Sequence, residues 1–255
     1  MYRIVAQARC NFAPNFKIKN MEEDEIIPYT FDLPMYMLPH QISGLRTGYY
    51  ELNRLLSGWQ RGEYVIVGYT NSKDANEFIS NNASASNKVG NMVAIISTDK
   101  DTFYTIVDSK MTIALHNCDS IFDIRRRARR LVREYGVKAL IIDDITKLYC
   151  QDLKFGSKEN ECYHISRSLC QLCRELDIPV ISLVPVGTND EGSRLAYRVR
   201  QGIGNLEQDT DVIIVIQRDE NDKLIPWVEK NRSGPISEIH SQSEIGDKYE
   251  DVVPF

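Results

Sequence analysis

The sequence predicts an α/β domain with a central, mostly parallel sheet flanked by helices and antiparallel strands at its C-terminal end. Three observations carry that expectation. Tyr64–Val67, Met92–Ile96, Ala139–Ile142 and Val180–Leu183 are continuous apolar runs, as strands buried on both faces require. Between the last two, Ile165, Leu169, Leu172 and Leu176 recur at helical spacing, which makes one apolar stripe on a helix. Val212–Ile216, Leu224–Val228 and Ile236–Ile239 then follow with turn residues between them, the pattern of an antiparallel set closing the sheet.

Taken in order, residues 1–42 read as an arm. They hold the acidic run Glu22–Glu25 and then Pro28, Pro34 and Pro39, which interrupt any long helix. The apolar residues Ile26, Ile27, Phe31, Leu33, Met35 and Tyr36 call for a surface to cover them, either on the same domain or on a neighbouring chain. Residues 43–242 form the domain itself. Within it, Asp123–Arg130 leads as a helix into the Ala139–Ile142 strand, and Asp177-Ile178-Pro179 ends the helix before Val180, because a residue preceding proline avoids helical dihedrals. Residues 243–255 are an acidic tail.

With 255 residues the chain suffices for one large domain,, and its 42% hydrophobic and 26% charged content excludes wholesale disorder,. No apolar run reaches the roughly 20 residues of a membrane span, and Met1–Phe12 lacks a signal-peptide core,. These features point to the cytoplasm, with no membrane partner. A net charge of −5 means that any nucleic-acid contact must come from a local basic surface. Of the six cysteines only Cys170 and Cys173 are spaced like metal ligands, with no second pair to match them, so reduced, half-buried thiols are expected.

Four segments, in order, resemble the C-terminal motor domain of DnaB-type replicative helicases, a RecA-like P-loop ATPase fold. Gly44–Gly58 is similar to that family's opening G-x-x-T-G-x-x-x-L-D-x-x-x-x-G. Leu140–Asp143 resembles its Walker B strand. Ile165–Leu169, continuing through Glu175 to Val180, is similar to its I-S-R-S-L helix and following strand. Glu207–Asp211, Arg218-Asp219-Glu220 and Lys230–Pro235 resemble its last strands and hairpin. The resemblance spans about residues 44–240, without the family's N-terminal collar and with a shorter stretch between Ser97 and Asp123.

The resemblance implies an ATP and Mg²⁺ site after the first strand. A working P-loop needs glycines for close backbone approach, a lysine on the phosphates and Ser/Thr on the metal. Here the segment reads Gly68-Tyr69-Thr70-Asn71-Ser72-Lys73-Asp74-Ala75-Asn76. Asp74 stands at the last glycine, Ala75 at the lysine and Asn76 at the Ser/Thr. At ~4 Å and an effective dielectric near 20, each adverse charge change is worth roughly 4 kcal/mol before screening. Two such changes remove most of a micromolar binding free energy, about 8 kcal/mol. Lys73 is the one nearby cation that could substitute. Asp143 keeps the position that orients Mg²⁺, Asp99 stands where the family has its catalytic Glu, and Pro185 replaces a Gln that reports on the γ-phosphate.

In the same resemblance, Lys230 and Arg232 project into a neighbouring subunit's ATP site, where an arginine stabilises phosphoryl transfer in trans. A positively charged hairpin turn is the plainer alternative. Single-stranded DNA contacts would come from Arg194, Arg198, Arg200 and Gly204, facing phosphates, although a flexible polar loop fits equally. The six arginines of Arg125–Arg133 suit a solvated helix face or salt bridges.

The leading expectation is a catalytically inactive paralogue acting as a binding or regulatory subunit in DNA replication. It would engage a DnaB-type helicase or other replication proteins as a homo- or hetero-oligomer. Two alternatives stand beside it. One is an active ATPase or helicase using Lys73 and Asp143, and the other is an oligomeric or single-strand-binding module that needs no nucleotide.

Overall fold

A computed structural model describes residues 42–98, 111–116, 118–151, 153–186 and 204–237. The expected arm up to residue 41, Asp99, the loop carrying Arg194, Arg198 and Arg200, and the tail 243–255 lie outside the described residues. The chain enters through an opening segment in which Leu45 and Trp59 exchange backbone hydrogen bonds of 3.0 and 2.8 Å. Gly44 has to be glycine there, since a Cβ would run into the Trp59 carbonyl oxygen. Buried Thr47 donates its backbone N–H to Asn53 Oδ1 at 3.0 Å, which fastens the segment to helix α1 (Tyr50–Leu56).

Strand β1 (Tyr64–Tyr69) leads into α2 (Ser72–Asn87), and β2 (Val93–Ser97) and β3 (Thr112–His116) follow. Helix α3 (Ile121–Tyr135) precedes β4 (Ala139–Ile142), and α4 (Lys158–Leu176) precedes β5 (Val180–Pro185). Strands β6 (Val212–Arg218) and β7 (Leu224–Asn231) end the described chain. The seven strands form one sheet in the order β3-β2-β4-β5-β1-β6-β7. Strands β1 to β6 run parallel to one another, and β7 pairs antiparallel with β6.

Both faces of the sheet are covered, which is why the strands read as unbroken apolar runs. Alternate residues of β1 divide between two cores. Tyr64 and Ile66 join Ile124 and Leu131 of α3 and Ile165, Leu169 and Leu172 of α4. Val65 and Val67 join Leu52 of α1 and Phe78 and Ile79 of α2. Burying a side chain of this size is worth about 1.5–3 kcal/mol, so the central strands dominate the stability of the fold.

Three expectations needed refinement. Strand β6 pairs antiparallel with β7 as expected, but it also lies parallel to β1. Ile236 and Ser237 are not in a strand, although Ser237 hydrogen-bonds Val228 at 3.0 Å. Strand β3 gave no sequence signal of its own, because among the described residues it pairs only with β2 and its Ile113 and Leu115 are half-buried. The five described cysteines are free, and they are buried rather than half-buried. Among the described residues no group of His, Cys, Asp and Glu could hold a metal.

Candidate nucleotide site and hairpin

The carboxyl ends of β1, β4, β5 and β6 bring together most residues that the sequence singled out. The segment read as a phosphate loop is shorter than expected. Gly68 and Tyr69 still belong to β1, the helix starts at Ser72, and only Thr70 and Asn71 connect them. Asn71 caps the helix, accepting from the Lys73 backbone N–H on its side-chain oxygen at 2.9 Å. The Asp74 and Ala75 N–H groups are spent on the Asn71 carbonyl at 3.0 and 3.2 Å. The Lys73, Asp74 and Ala75 amides at this helix start, of the kind a phosphate would use, are therefore paired within the chain. Lys73 is exposed on the first turn, while Ala75 and Asp74 are buried.

Asp74, expected at the last glycine of the loop, is paired with an arginine. Its Oδ1 lies 2.8 Å from Arg218 Nη2 and 2.9 Å from Arg218 Nε. The same guanidinium reaches Glu77 Oε2 at 2.7 Å and the Asp222 carbonyl at 2.6 Å. These partners hold Arg218 further toward its charged form, Glu77 first. Tyr49 stacks on Phe78 beside this network, and burial above all raises its phenol to about 12.

Asp143, expected at the Walker B position, is buried and hydrogen-bonded within the chain. Its Oδ2 accepts from Ser97 Oγ at 2.7 Å, and its Oδ1 accepts from Thr98 N and Thr98 Oγ1 at 3.0 Å each. Asp144 next to it caps the short 3₁₀ turn Ile145–Lys147 through Thr146. Tyr69 is buried close to both carboxylates, and burial followed by their charge pushes its phenol upward. Pro185 ends β5 in register with Tyr69 and is exposed.

Lys230 and Arg232 lie at the opposite end of the sheet, where β7 finishes beside the start of β6. Lys230 Nζ donates to the Glu207 carbonyl at 2.6 Å, and Arg232 Nη1 lies 2.8 Å from Asp211 Oδ1. The six residues of β1 separate this end from Asp74, a span of about 17 Å. The pair therefore lies remote from Asp74 and Lys73. Gly204 opens a 3₁₀ turn, Gly204–Gln208, at the edge of the described residues.

Five of the six arginines of the run on α3 make ion pairs. Arg129 and Arg125 meet Glu175 of α4 at 2.6 and 3.4 Å, Arg126 meets Asp123, and Arg130 and Arg133 share Glu134. Sequence reasoning missed Arg218, Glu77 and Tyr69 as parts of the site. A signal for Arg218 existed: a carboxylate at a glycine position needs a counter-charge, and Arg218 ends an apolar strand at the same height as the loop.

A profile of the DnaB-like helicase C terminal domain matches residues 100–245. The chain belongs to that family. The 68–76 segment precedes the matched region. This DnaB-like chain is 26% identical over 247 residues to the Replicative DNA helicase DnaB of Geobacillus stearothermophilus, covering 78% of the chain and 54% of the relative. It is 35% identical over 120 residues to that of Treponema pallidum, covering 47% of the chain and 27% of the relative. The DnaB-like chain thus spans about half the length, or less, of these relatives.

Among solved structures, an isolated ATPase domain superposes with a TM-score of 0.65 at 21% identity, covering 78% of this chain and 87% of that one. A DnaB-like replicative helicase studied with primase gives 0.64 at 20% identity, covering 77% and 59%. Those likenesses establish the RecA-like fold for the DnaB-like chain. Family membership and fold both match the reading of the four motif segments.

Proposed function

We propose that this DnaB-like chain is a subunit without ATP turnover of its own, acting by binding or regulation in DNA replication. The observation that carries this reading is the state of the phosphate seat. A buried alanine stands at the lysine position, and the helix amides beside it are bonded to Asn71. The cations beside it are Lys73, exposed on the first turn, and Arg218, already paired with Asp74 and Glu77, so neither stands where a P-loop lysine meets the β/γ-phosphates. Asp143 supports the same reading, since Ser97 and Thr98 take the lone pairs that would order a Mg²⁺-bound water. Were ATP and Mg²⁺ to bind, Asp143 would be the residue facing the metal.

Lys230 and Arg232 keep the family pattern at the far end of the sheet, which suits action on the nucleotide of a neighbouring DnaB-type helicase subunit. Residues 1–42 would supply further contact with that neighbour, and Arg194, Arg198, Arg200 and Gly204 would supply any contact with single-stranded DNA. The test is a titration of the purified chain with ATP and Mg²⁺, followed by ATPase assays with and without single-stranded DNA. We expect neither saturable micromolar binding nor DNA-stimulated turnover. Either result in the unmodified protein would favour the rival, an active ATPase that recruits Lys73 and Asp143.

A further inference from the structure

We propose that Asp74 is an autoinhibitory contact, an intramolecular carboxylate that occupies Arg218 and thereby closes the seat to phosphate. The proposal deepens the reading of this chain as a subunit without its own turnover, and rests on it. Arg218 leaves the end of β6, the strand paired beside β1 with Gly68 opposite Val215. From there its guanidinium lies over the first turn of α2. Two of its nitrogens converge on one oxygen of Asp74, and the other contacts go to Glu77, the Asp222 carbonyl and, at 3.5 Å, the exposed Asp222 carboxylate.

Carboxylate and phosphate compete for arginine on equal chemical grounds, because both accept its forked N–H groups. Asp74 competes from within the chain, at an effective concentration in the millimolar range or above. Its carboxylate is only 5% exposed, so letting Arg218 go would strand a buried charge, which is strongly unfavourable. A free phosphate therefore has to displace a ligand that cannot diffuse away. It must also approach a second carboxylate, Glu77, already bound to the same guanidinium.

Removing the charge of Asp74 reverses both effects. Arg218 is then held only by Glu77 and Asp222, and the buried one of the repulsive carboxylates is gone. The class of ligand it would then take is a phosphate chain, and inorganic pyrophosphate is the simplest probe, since it needs no base or sugar contact.

The experiment titrates pyrophosphate by calorimetry into the full chain as wild type, Asp74→Asn, Glu77→Gln and the Asp74→Asn/Arg218→Ala double variant, with a thermal melt of each. Wild type should show no saturation below millimolar concentrations. Asp74→Asn should bind at least about tenfold more tightly, and the double variant should lose that gain, since one charge-assisted arginine contact accounts for it. A cooperative melt of Asp74→Asn with no gain in binding overturns the lock. A gain that survives in the double variant overturns the assignment to Arg218. Should Asp74→Asn fail to melt cooperatively, Glu77→Gln decides, because Glu77 is partly exposed. It must tighten binding about threefold by loosening Arg218, and unchanged binding overturns the proposal. Micromolar ATP binding with turnover by wild type would instead defeat the functional reading itself, a separate outcome from a silent but folded Asp74→Asn.

Discussion

Asp211 joins the hairpin to the start of the central strand: Arg232 Nη1 lies 2.8 Å from its Oδ1, and the Tyr64 backbone N–H donates to its Oδ2 at 3.0 Å. The carboxylate is buried while Arg232 remains half-exposed, so the arginine is held at one end and open at the other. The same stretch anchors Lys230 through the Glu207 carbonyl. Both cations are thus held in place at the end of the sheet remote from Asp74.

For that reason Arg232→Ala should abolish any change that the wild-type protein causes in the ATP turnover of the helicase from its own source. A finger placed in trans adds about 10³-fold or more to phosphoryl transfer, so even partial engagement is measurable. Asp143→Ala should leave the effect in place, because Asp143 belongs to the other end of the sheet. An equal response to both variants, or no effect of the wild-type protein, reduces the hairpin to surface charge.

Restoring the phosphate seat should restore binding. Asp74→Gly, Ala75→Lys and Asn76→Thr together return the glycine, lysine and hydroxyl that a P-loop requires. We expect ATP affinity to move from undetectable to micromolar, about 8 kcal/mol of binding free energy, read by calorimetry with Mg²⁺. A folded triple variant that still ignores ATP would show that Tyr69 or the shortened connection also blocks the seat.

The buried Trp59–Asn82 pair is a stability determinant. The indole N–H donates to Asn82 Oδ1 at 2.8 Å, and Asn82 Nδ2 donates to the Phe78 carbonyl at 2.7 Å. Asn82→Ala leaves the indole donor unpaired, a loss of about 1–3 kcal/mol detectable by urea denaturation. Ser84→Ala on the exposed side of the same helix should stay within about 0.5 kcal/mol of wild type.

Glu175 links α4 to α3, and its hydrogen bond from Arg129 holds its carboxyl below the ordinary 4.5. A depressed folded value contributes stability that is fully present above 4.5 and is lost as pH falls through the lowered value. Glu175→Gln should therefore cost about 0.5–1 kcal/mol near neutrality, the range for a solvent-exposed network. Melting curves of the two proteins should converge as pH drops below the ordinary carboxylate range. A difference that persists well below that range would mean the loss comes from something other than the charge.

Deleting residues 1–42 tests the proposed contact with a neighbouring chain. The described core residues run from Leu45 to Val228, and on the reading of residues 1–42 as an arm the truncated domain should keep a cooperative melt. Its mass in solution, read by light scattering, should change, or capture of a helicase partner should be lost. Loss of the cooperative melt would place the segment in the domain's own core.

Sequence alone determined the fold class and most of the strands, because burial on both faces of a parallel sheet leaves an unbroken apolar run that no local context can hide. It also singled out Asp74, Ala75 and Asn76 against the fixed spacing of a P-loop, a reading that the nucleotide titrations test. Edge strand β3 escaped because half-buried residues carry no such run. What Asp74 does was decided only by tertiary structure. Its partner Arg218 lies 144 positions away, and they meet because β6 folds in beside β1. Asp143 likewise finds Ser97 and Thr98 across β2 and β4, and Arg232 finds Asp211 where β7 turns back along β6. Periodicity reports which face of an element is buried, whereas the pairing of charges depends on the order in which the strands assemble.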